Sequence, residues 1–290
     1  MATGQAPRAA RCGRLTTTCA TTRDGNMSEK YVEVHNLTTW YDPAVPILED
    51  VSFEIGSGEF ICVLGPSGCG KSTLLATLSG LKPPQAGRIL VDGEDIYDRQ
   101  ASLPRLGYVF QDHRLLPWRT VSQNISLALD AAGVASEEHE DIIRTYLDAL
   151  QIGSFHDAWP LNLSGGQRQR ASIARAMAID PDYLLMDEPF STLDELTARE
   201  LRDELLRIWE ASGKTIVFVT HSVHEAMFLA DRIFVLSTYP GRLYRTIDVN
   251  VPRVRSHEDV DLAKLEASVI EDLLVEWGQK GAPAPEREST

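Results

Sequence analysis

The octapeptide GPSGCGKS, from Gly65 to Ser72, restricts the possible folds of this chain more than any other part of the sequence. It directly follows an apolar run at residues 60–64 and directly precedes KSTLLATLSGL, whose leucines have helical spacing. The pattern GxxxxGK(S/T) in this context predicts a strand, a phosphate-binding loop and a helix, in that order. The glycine spacing differs from GxGxxG, which argues against a dinucleotide site.

The residue types of this loop suit nucleotide phosphates and Mg²⁺. Backbone amides would surround the phosphates, and the start of the following helix adds partial positive charge. Lys71 is expected to reach the β- and γ-phosphates, while the Ser72 hydroxyl is a candidate Mg²⁺ ligand.

Two adjacent carboxylates follow a second apolar run. Residues 183–186 read YLLM, and Asp187 and Glu188 come next. Ligands of parallel sheets collect beyond the carboxyl ends of the strands, which is where this pair is expected to lie. Asp187 can bind Mg²⁺ directly or through water, and Glu188 can polarise the water that attacks the γ-phosphate.

The order of patterns predicts an α/β protein with a mainly parallel sheet. Residues 31–37 and 51–55 alternate like strands, whereas residues 122–179 have helical spacing. Beyond them, helices separate strands predicted at 183–186, 215–219 and 232–236. The dipeptide Pro240-Gly241 predicts a turn before a further strand at residues 244–251.

Charge and composition argue against several classes of protein. The formal net charge is −14, which disfavours a broad nucleic-acid-binding face. Apolar runs are too short for a membrane-spanning helix, which needs about 20 residues. The four cysteines, Cys12, Cys19, Cys62 and Cys69, form no CxxC pair, so we expect a reducing cytoplasm.

Both ends of the sequence are expected to lie outside the core. Residues 1–26 are rich in Arg, Ala and Thr and form a predicted disordered extension, with Met27 as the expected start; a transit peptide is the alternative. At the other end, residues 257–277 predict an acidic amphipathic helix, followed by a Gly/Pro-rich tail from Gly281.

The pentapeptide LSGGQ at residues 163–167, upstream of the Asp187 strand, resembles the signature motif of the ABC ATPase family. Its serine and glycines open a helix and could form a second anion site. The resemblance implies that this site grips the γ-phosphate bound to a partner subunit. The residues assigned to it are Ser164, Gly165, Gly166 and Gln167.

The resemblance covers residues 31–255 and assigns the remaining family positions. Gln111 resembles the Q-loop glutamine that touches Mg²⁺ or water and faces the permease, and Asp194 in STLD resembles the D-loop aspartate. His221 resembles the switch histidine on the γ-phosphate. Tyr41 matches the adenine-stacking aromatic residue, with Trp40 as a second candidate. The phosphate loop itself contributes Gly65, Pro66, Ser67, Gly68, Cys69, Gly70, Lys71, Ser72 and Thr73.

The family implies a P-loop NTPase (RecA-like) core with a helical subdomain at about residues 115–178 and an N-terminal antiparallel β subdomain. The ATPase domain is expected at residues 27–255, and the acidic helix and tail at 256–290. The implied reaction is hydrolysis of Mg·ATP to ADP and phosphate by a homodimer. The implied partners are permease subunits at the cytoplasmic face of the membrane and, indirectly, a solute-binding protein; no nucleic acid is expected.

Two further stretches, LLPWRTVSQNISL and LSTYPGRLYRTIDVNVPRVR, are similar to the branch that imports nitrate, sulfonates such as taurine, or related solutes. No residue of this chain identifies the solute. Three alternatives are an exporter motor, a soluble ABC ATPase acting on nucleic acid or ribosomes, and a small-molecule kinase. We also expect that alkylation of Cys69 blocks ATP binding sterically.

Overall fold

The computed structural model describes residues 30–98, 104–253, 255–256 and 258–279. The predicted extension at residues 1–26, with Cys12 and Cys19, and the tail from Gly281 lie outside these residues, as does His257.

Strands and helices alternate through most of the described chain. The strands are β1 (Lys30–Asp42), β2 (Val45–Gly56), β3 (Phe60–Leu64), β4 (Ala86–Val91), β5 (Glu94–Asp95), β6 (Leu106–Val109), β7 (Tyr183–Asp187), β8 (Thr215–Thr220), β9 (Arg232–Leu236) and β10 (Leu243–Asp248). The helices are α1 (Lys71–Leu78), α2 (Val121–Ala131), α3 (Ser136–Ala149), α4 (Gly165–Ala178), α5 (Glu195–Ser212), α6 (Val223–Leu229) and α7 (Val260–Gln279). Short 3-10 turns lie at Gly153–Phe155 and Pro160–Asn162.

A six-stranded sheet with the order β10-β9-β3-β8-β7-β6 forms the centre of the fold. Its strands pair in parallel, except that β10 returns antiparallel to β9 through the predicted turn at Pro240-Gly241. Every residue of β3, β7 and β8 is buried, because both faces of the sheet are covered. The predicted α/β class with a mainly parallel sheet is confirmed.

The two faces of this sheet belong to two different cores. In β3, Phe60, Cys62 and Leu64 point into a core formed with the helices that follow β6. Ile61 and Val63 point the opposite way, into a core shared with α1 and a second sheet. Successive side chains of a strand face opposite sides, which is why one apolar run can serve both cores.

The second sheet is antiparallel and has the order β2-β1-β4-β5. Both β1 and β2 are longer than the strands predicted at residues 31–37 and 51–55, because register shifts interrupt their apolar alternation. The P-loop core with an antiparallel sheet and added helices agrees with the predicted fold class. The helices α2, α3 and α4 pack together within the range predicted for the helical subdomain; the domain boundaries themselves stay a prediction.

The C-terminal helix α7 packs against α6 through buried Leu262, Val269 and Leu273. It begins at Val260 rather than at the predicted residue 257. The Asp259 carboxylate accepts hydrogen bonds from the amides of Asp261 (2.9 Å) and Leu262 (3.2 Å), which caps the helix at this point. In the described part of the chain, no helix combines the length and apolar character needed to cross a membrane.

Candidate functional site

Four neighbouring strands bring the predicted site residues to one edge of the central sheet. Gly65 follows β3, His221 follows β8, Glu188 follows β7, and Gln111 lies two residues beyond β6. These strands are adjacent and parallel in the order β3-β8-β7-β6. Their carboxyl ends therefore meet in one crevice, the usual ligand position of such sheets.

The phosphate loop has the backbone of an anion-binding turn. Gly68 and Gly70 have φ angles of +82° and +105°, a left-handed region that glycine tolerates, and α1 begins immediately afterwards at Lys71. Lys71 is only 5% exposed, and its Nζ donates to the carbonyl oxygens of Gly65 (2.8 Å) and Pro66 (3.1 Å). The lysine charge is thus held inside the curve of the loop, where phosphate oxygens would bind.

Glu188 lies at the centre of the crevice and connects two other predicted groups. Its Oε1 is 3.2 Å from Lys71 Nζ, and its Oε2 is 3.0 Å from His221 Nδ1. The Glu188 amide donates to the carbonyl of Val219 (3.0 Å), and its φ of +41° is uncommon for a residue with a side chain. This backbone turn directs the carboxylate of Glu188 towards the phosphate loop and the end of β8.

Asp187 and Ser72 place two oxygen atoms next to each other beside Glu188. Ser72 Oγ donates to Asp187 Oδ1 at 3.1 Å. Burial raises the pKa of Asp187, and the hydrogen bond from Ser72 partly offsets this effect. A hydroxyl and a carboxylate are the hard oxygen donors that Mg²⁺ takes together with phosphate oxygens, so these residues fit the implied metal. Within the described ranges, no cluster of three His, Cys, Asp or Glu side chains forms a separate metal site.

Tyr41 lies near the end of β1 and presents its ring to solvent. The residue is 74% exposed, whereas Trp40 is only partly exposed and its amide donates to Gln85 Oε1 at 2.8 Å. Lys82 Nζ lies 4.3 Å from the centre of the Tyr41 ring and donates to the Trp40 carbonyl at 3.1 Å. Sequence reasoning missed Lys82, because nothing in the local sequence places residue 82 over residue 41.

Gln111 is exposed and lies two residues after Val109, which pairs with Met186. Glu188 lies two residues after Met186, so Gln111 and Glu188 leave the sheet at the same level. The segment after it is tied to the start of α4. His113 Nε2 lies 3.1 Å from the Gly165 carbonyl oxygen, and Arg175 donates to the His113 carbonyl at 3.0 Å. Burial lowers the pKa of His113. The sequence assigned His113 no role, but the structure places it directly on the signature segment.

Ser164 caps α4 and begins the signature segment. Its Oγ accepts a hydrogen bond from the Gln167 amide at 3.3 Å, and its own amide donates to Gln167 Oε1 at 2.8 Å, which together form a capping box. Ser164 is exposed and Gly165 has open space around its Cα. The start of α4 therefore remains accessible, and the side chain of Gln167 stabilises it.

Asp194 caps α5 close to the signature segment. Its carboxylate accepts from the Thr197 amide (3.0 Å) and the Thr197 hydroxyl (2.7 Å), and these hydrogen bonds lower the pKa of Asp194. A methyl group on Gly166 would lie only 2.7 Å from Thr197 Cγ2. The signature and the predicted D-loop are thus packed against each other within one subunit through Thr197, which sequence reasoning did not identify.

Cys69 contributes its backbone to the phosphate loop and its side chain to the core. The residue is 1% exposed, and burial raises the pKa of its thiol. Cys69 should therefore be slow to alkylate, because only an exposed thiolate reacts readily. That alkylation would block ATP binding stays a prediction.

We expect native Cys69 to react with iodoacetamide at least about 100-fold more slowly than Cys69 in the chain unfolded by guanidinium, since native Cys69 is buried and protonated. Mass spectrometry of the peptide that contains Cys69 measures both rates, and Cys69→Ser identifies the signal. Stoichiometric labelling of the native protein at the unfolded rate would contradict this geometry.

Comparison with known protein sequences gives consistent matches. Residues 48–191 match the family model described as ABC transporter. The chain is 39% identical over 245 residues to an uncharacterized ABC transporter ATP-binding protein of Methanocaldococcus jannaschii, MJ0412, covering 83% of this chain and 91% of that protein. It is 38% identical over 229 residues to the aliphatic sulfonates import ATP-binding protein SsuB of Bacillus cereus, covering 79% of this chain and 89% of that protein.

Solved structures with the same fold include the ATP-binding cassette MJ0796 in a dimeric, post-hydrolysis state bound to ADP and Pi. The TM-score is 0.68 at 31% identity, and the match covers 76% of this chain and 100% of that chain. CbiO1 of Clostridium perfringens, part of the ABC transporter complex cbiONQ, gives a TM-score of 0.71 at 27% identity, covering 87% of this chain and 97% of that chain.

Proposed function

The chain belongs to the ABC transporter family and is an ATPase, and we propose that it powers an importer of a small solute through a separate permease. The sulfonate, taurine or nitrate type is the proposed solute class. Its support is the relative described as an aliphatic sulfonates import ATP-binding protein, together with the two stretches around LLPW and YPGR. An exporter motor is the alternative; an ATPase acting on nucleic acid is disfavoured by the net charge of −14.

The observation that carries the assignment of ATP hydrolysis to this site is the contact of Glu188 with both Lys71 and His221. Hydrolysis forms a bond from a water oxygen to the γ-phosphorus and breaks the bond to the β,γ-bridging oxygen. We assign Glu188 as the group that orients this water and accepts its proton. Lys71 would stabilise charge on the phosphate oxygens, and His221 would hold the Glu188 carboxylate and contact the γ-phosphate.

Ser72 and Asp187 are the proposed Mg²⁺ ligands, and Gln111 is proposed to contact the same ion or its water. When bound, Mg²⁺ would neutralise charge that develops on the phosphate oxygens. Asp187 reaches this position because it is the last residue of β7, next to β8 and close to the phosphate loop. Adjacent carboxylates thereby take different roles, since Asp187 faces Ser72 whereas Glu188 faces Lys71.

Formation of a homodimer is proposed from the accessible start of α4. Ser164 and Gly165 lie at a helix N-terminus, whose amides and dipole favour an anion. The γ-phosphate bound by a second copy is the proposed anion, and Asp194 would lie at the same contact. The solved dimer of the similar cassette MJ0796 supports this arrangement. Each site would then need two chains, so a monomer is expected to be nearly inactive.

A groove of 530 Å³ between α3, the end of α4 and α5 is the proposed permease contact. Its lining includes the apolar residues Ile142, Tyr146, Ala178 and Ile208 and the charged residues Arg105, Glu138, Arg207 and Lys214. Such a groove suits one amphipathic helix of a membrane subunit. Binding there would hold the chain at the cytoplasmic face of the membrane, and the solute-binding protein would act through the permease.

Uptake by the native host tests this function. We expect deletion of the chain to abolish uptake of radiolabelled taurine or of nitrate, and the wild-type chain to restore it. Glu188→Gln is the matched control, because it keeps the fold but lacks the proposed base. Normal uptake of both solutes in the deletion strain would reject the proposed solute class. Restoration of uptake by Glu188→Gln would reject the coupling of transport to hydrolysis through this residue.

A further inference from the structure

The turn between β9 and β10 is packed directly against the phosphate loop. We call residues 237–242 the brace turn. A methyl group on Gly241 would lie 2.1 Å from the Cys69 carbonyl oxygen, a distance that no real contact permits. Gly65, at the other end of the loop, approaches the last residue of β9, since a methyl group there would lie 3.3 Å from Leu236 Cβ. Both ends of the phosphate loop therefore contact this hairpin.

The brace turn is also tied to β2, which supports the loop from another side. The Gly241 amide donates to the Ile47 carbonyl at 2.8 Å, and the Glu49 amide donates to the Gly241 carbonyl at 3.0 Å. Between these bonds, Leu48 is fully buried, and its Cδ2 would be 2.8 Å from a methyl group on Gly70. Gly241 on the brace turn and Leu48 on β2 therefore pack side by side against the phosphate loop, at Cys69 and Gly70 respectively.

The turn has its own internal support. Ser237 Oγ donates within the turn to the carbonyl of Pro240 (3.1 Å) and accepts from the Arg242 amide (3.0 Å). Arg242 also pairs with Glu49 at 2.8 Å. These hydrogen bonds should keep the brace turn in place against the phosphate loop, because moving Gly241 would break its bonds to β2 and disturb those of Ser237 at the same time.

We propose that the brace turn positions the phosphate loop, with Gly241 as a positioning residue for the phosphates of ATP. The inference rests on nucleotide binding by the loop and adds a determinant of affinity about 170 residues away in the sequence. The loop binds phosphates through its backbone amides, and a binding site of this kind must hold its contact groups within about 0.5 Å of the productive geometry. Any side chain at residue 241 would push the Cys69 carbonyl and displace the neighbouring amides.

The test compares Gly241→Ala with Gly213→Ala. Gly213 ends α5 with a φ of +63°, so alanine strains its backbone, but the methyl group meets nothing within 4 Å. We expect Gly241→Ala to raise the Kd of both MgATP and MgADP by at least about tenfold and by equal factors, because the loop holds the phosphates that both share. The turnover number at saturating ATP is expected to change less than about threefold.

Folding is checked by circular dichroism before each titration. A folded Gly241→Ala protein with the wild-type Kd would overturn the inference, as would an equal rise of Kd in Gly213→Ala. If the wild-type chain itself did not bind ATP, the proposed function would fail instead, so the two failures are distinguishable.

Hydrogen exchange on the wild-type chain provides a measurement that does not depend on the variant folding. We expect MgATP to slow exchange at the Glu49 and Gly241 amides, and not at the β4 segment, residues 86–91. Unchanged exchange at both amides in the ATP complex would contradict the inference.

Discussion

Replacement of Glu188 by glutamine is expected to reduce the rate of ATP hydrolysis at least about 100-fold, because a positioned general base contributes roughly 100- to 10,000-fold. Glutamine keeps the size of the side chain and can still hydrogen-bond to His221, but it cannot accept a proton from the attacking water. It also removes one negative charge 3.2 Å from Lys71 Nζ. Binding of ATP should therefore persist in this variant while turnover is lost.

Steady-state hydrolysis and gel filtration in MgATP measure the two effects together. We expect Glu188→Gln to elute as a dimer in MgATP, since ATP held between the two chains would no longer be hydrolysed. Glu137→Gln, on the first turn of α3, is the matched control and should behave as wild type. A Glu188→Gln protein that hydrolyses ATP normally and stays monomeric would refute both the base assignment and the proposed dimer.

Replacement of Arg170 by methionine is expected to lower the free energy of unfolding by about 3–5 kcal/mol, the usual cost of removing one partner of a buried ion pair. Arg170 lies on α4 and contacts the carboxylate of Glu204 on α5, whose side chain is only 1% exposed. It also donates to the Leu150 carbonyl at 2.9 Å. Methionine would leave the Glu204 charge buried without its partner.

Urea denaturation followed by circular dichroism measures this loss. Arg144→Met is the control, because it removes an exposed i,i+4 pair with Glu140, which is worth less than about 1 kcal/mol. The double variant Arg170→Met with Glu204→Met should recover most of the stability, since it leaves no unpaired charge buried between the two helices. A single Arg170→Met variant as stable as wild type would show that the pair contributes no net stability.

Much of the site was predictable because its parts are local in the chain. The phosphate loop depends on glycines, a lysine and a serine at fixed offsets, and its flanking strand and helix are readable from apolar spacing. Asp187 and Glu188 follow the run YLLM at residues 183–186, which predicts their position at a sheet edge before any coordinates are known. The α/β class follows in the same way from the order of the periodic segments.

Strand lengths were less predictable, because β1 and β2 contain register shifts. Each shift breaks the alternation of apolar residues while the backbone pairing continues, so the pattern ends before the strand does. The start of α7 was misplaced because apolar spacing does not mark the first residue of a helix, which is set here by the capping carboxylate of Asp259.

The spacing of residues along the chain was enough to identify the chemical groups of the site and the local backbone around each one, since strands, helices and the phosphate loop depend on short-range spacing. Three contacts depend on the folded chain and could not be read from spacing: Glu188 with both Lys71 and His221, Lys82 with the Tyr41 ring, and Gly241 with Cys69. The physical reason is that the sequence spacing does not specify which strands become neighbours. The order of the strands depends on how the sheets and helices pack their apolar faces into the two cores, through many weak contacts between residues far apart in the chain.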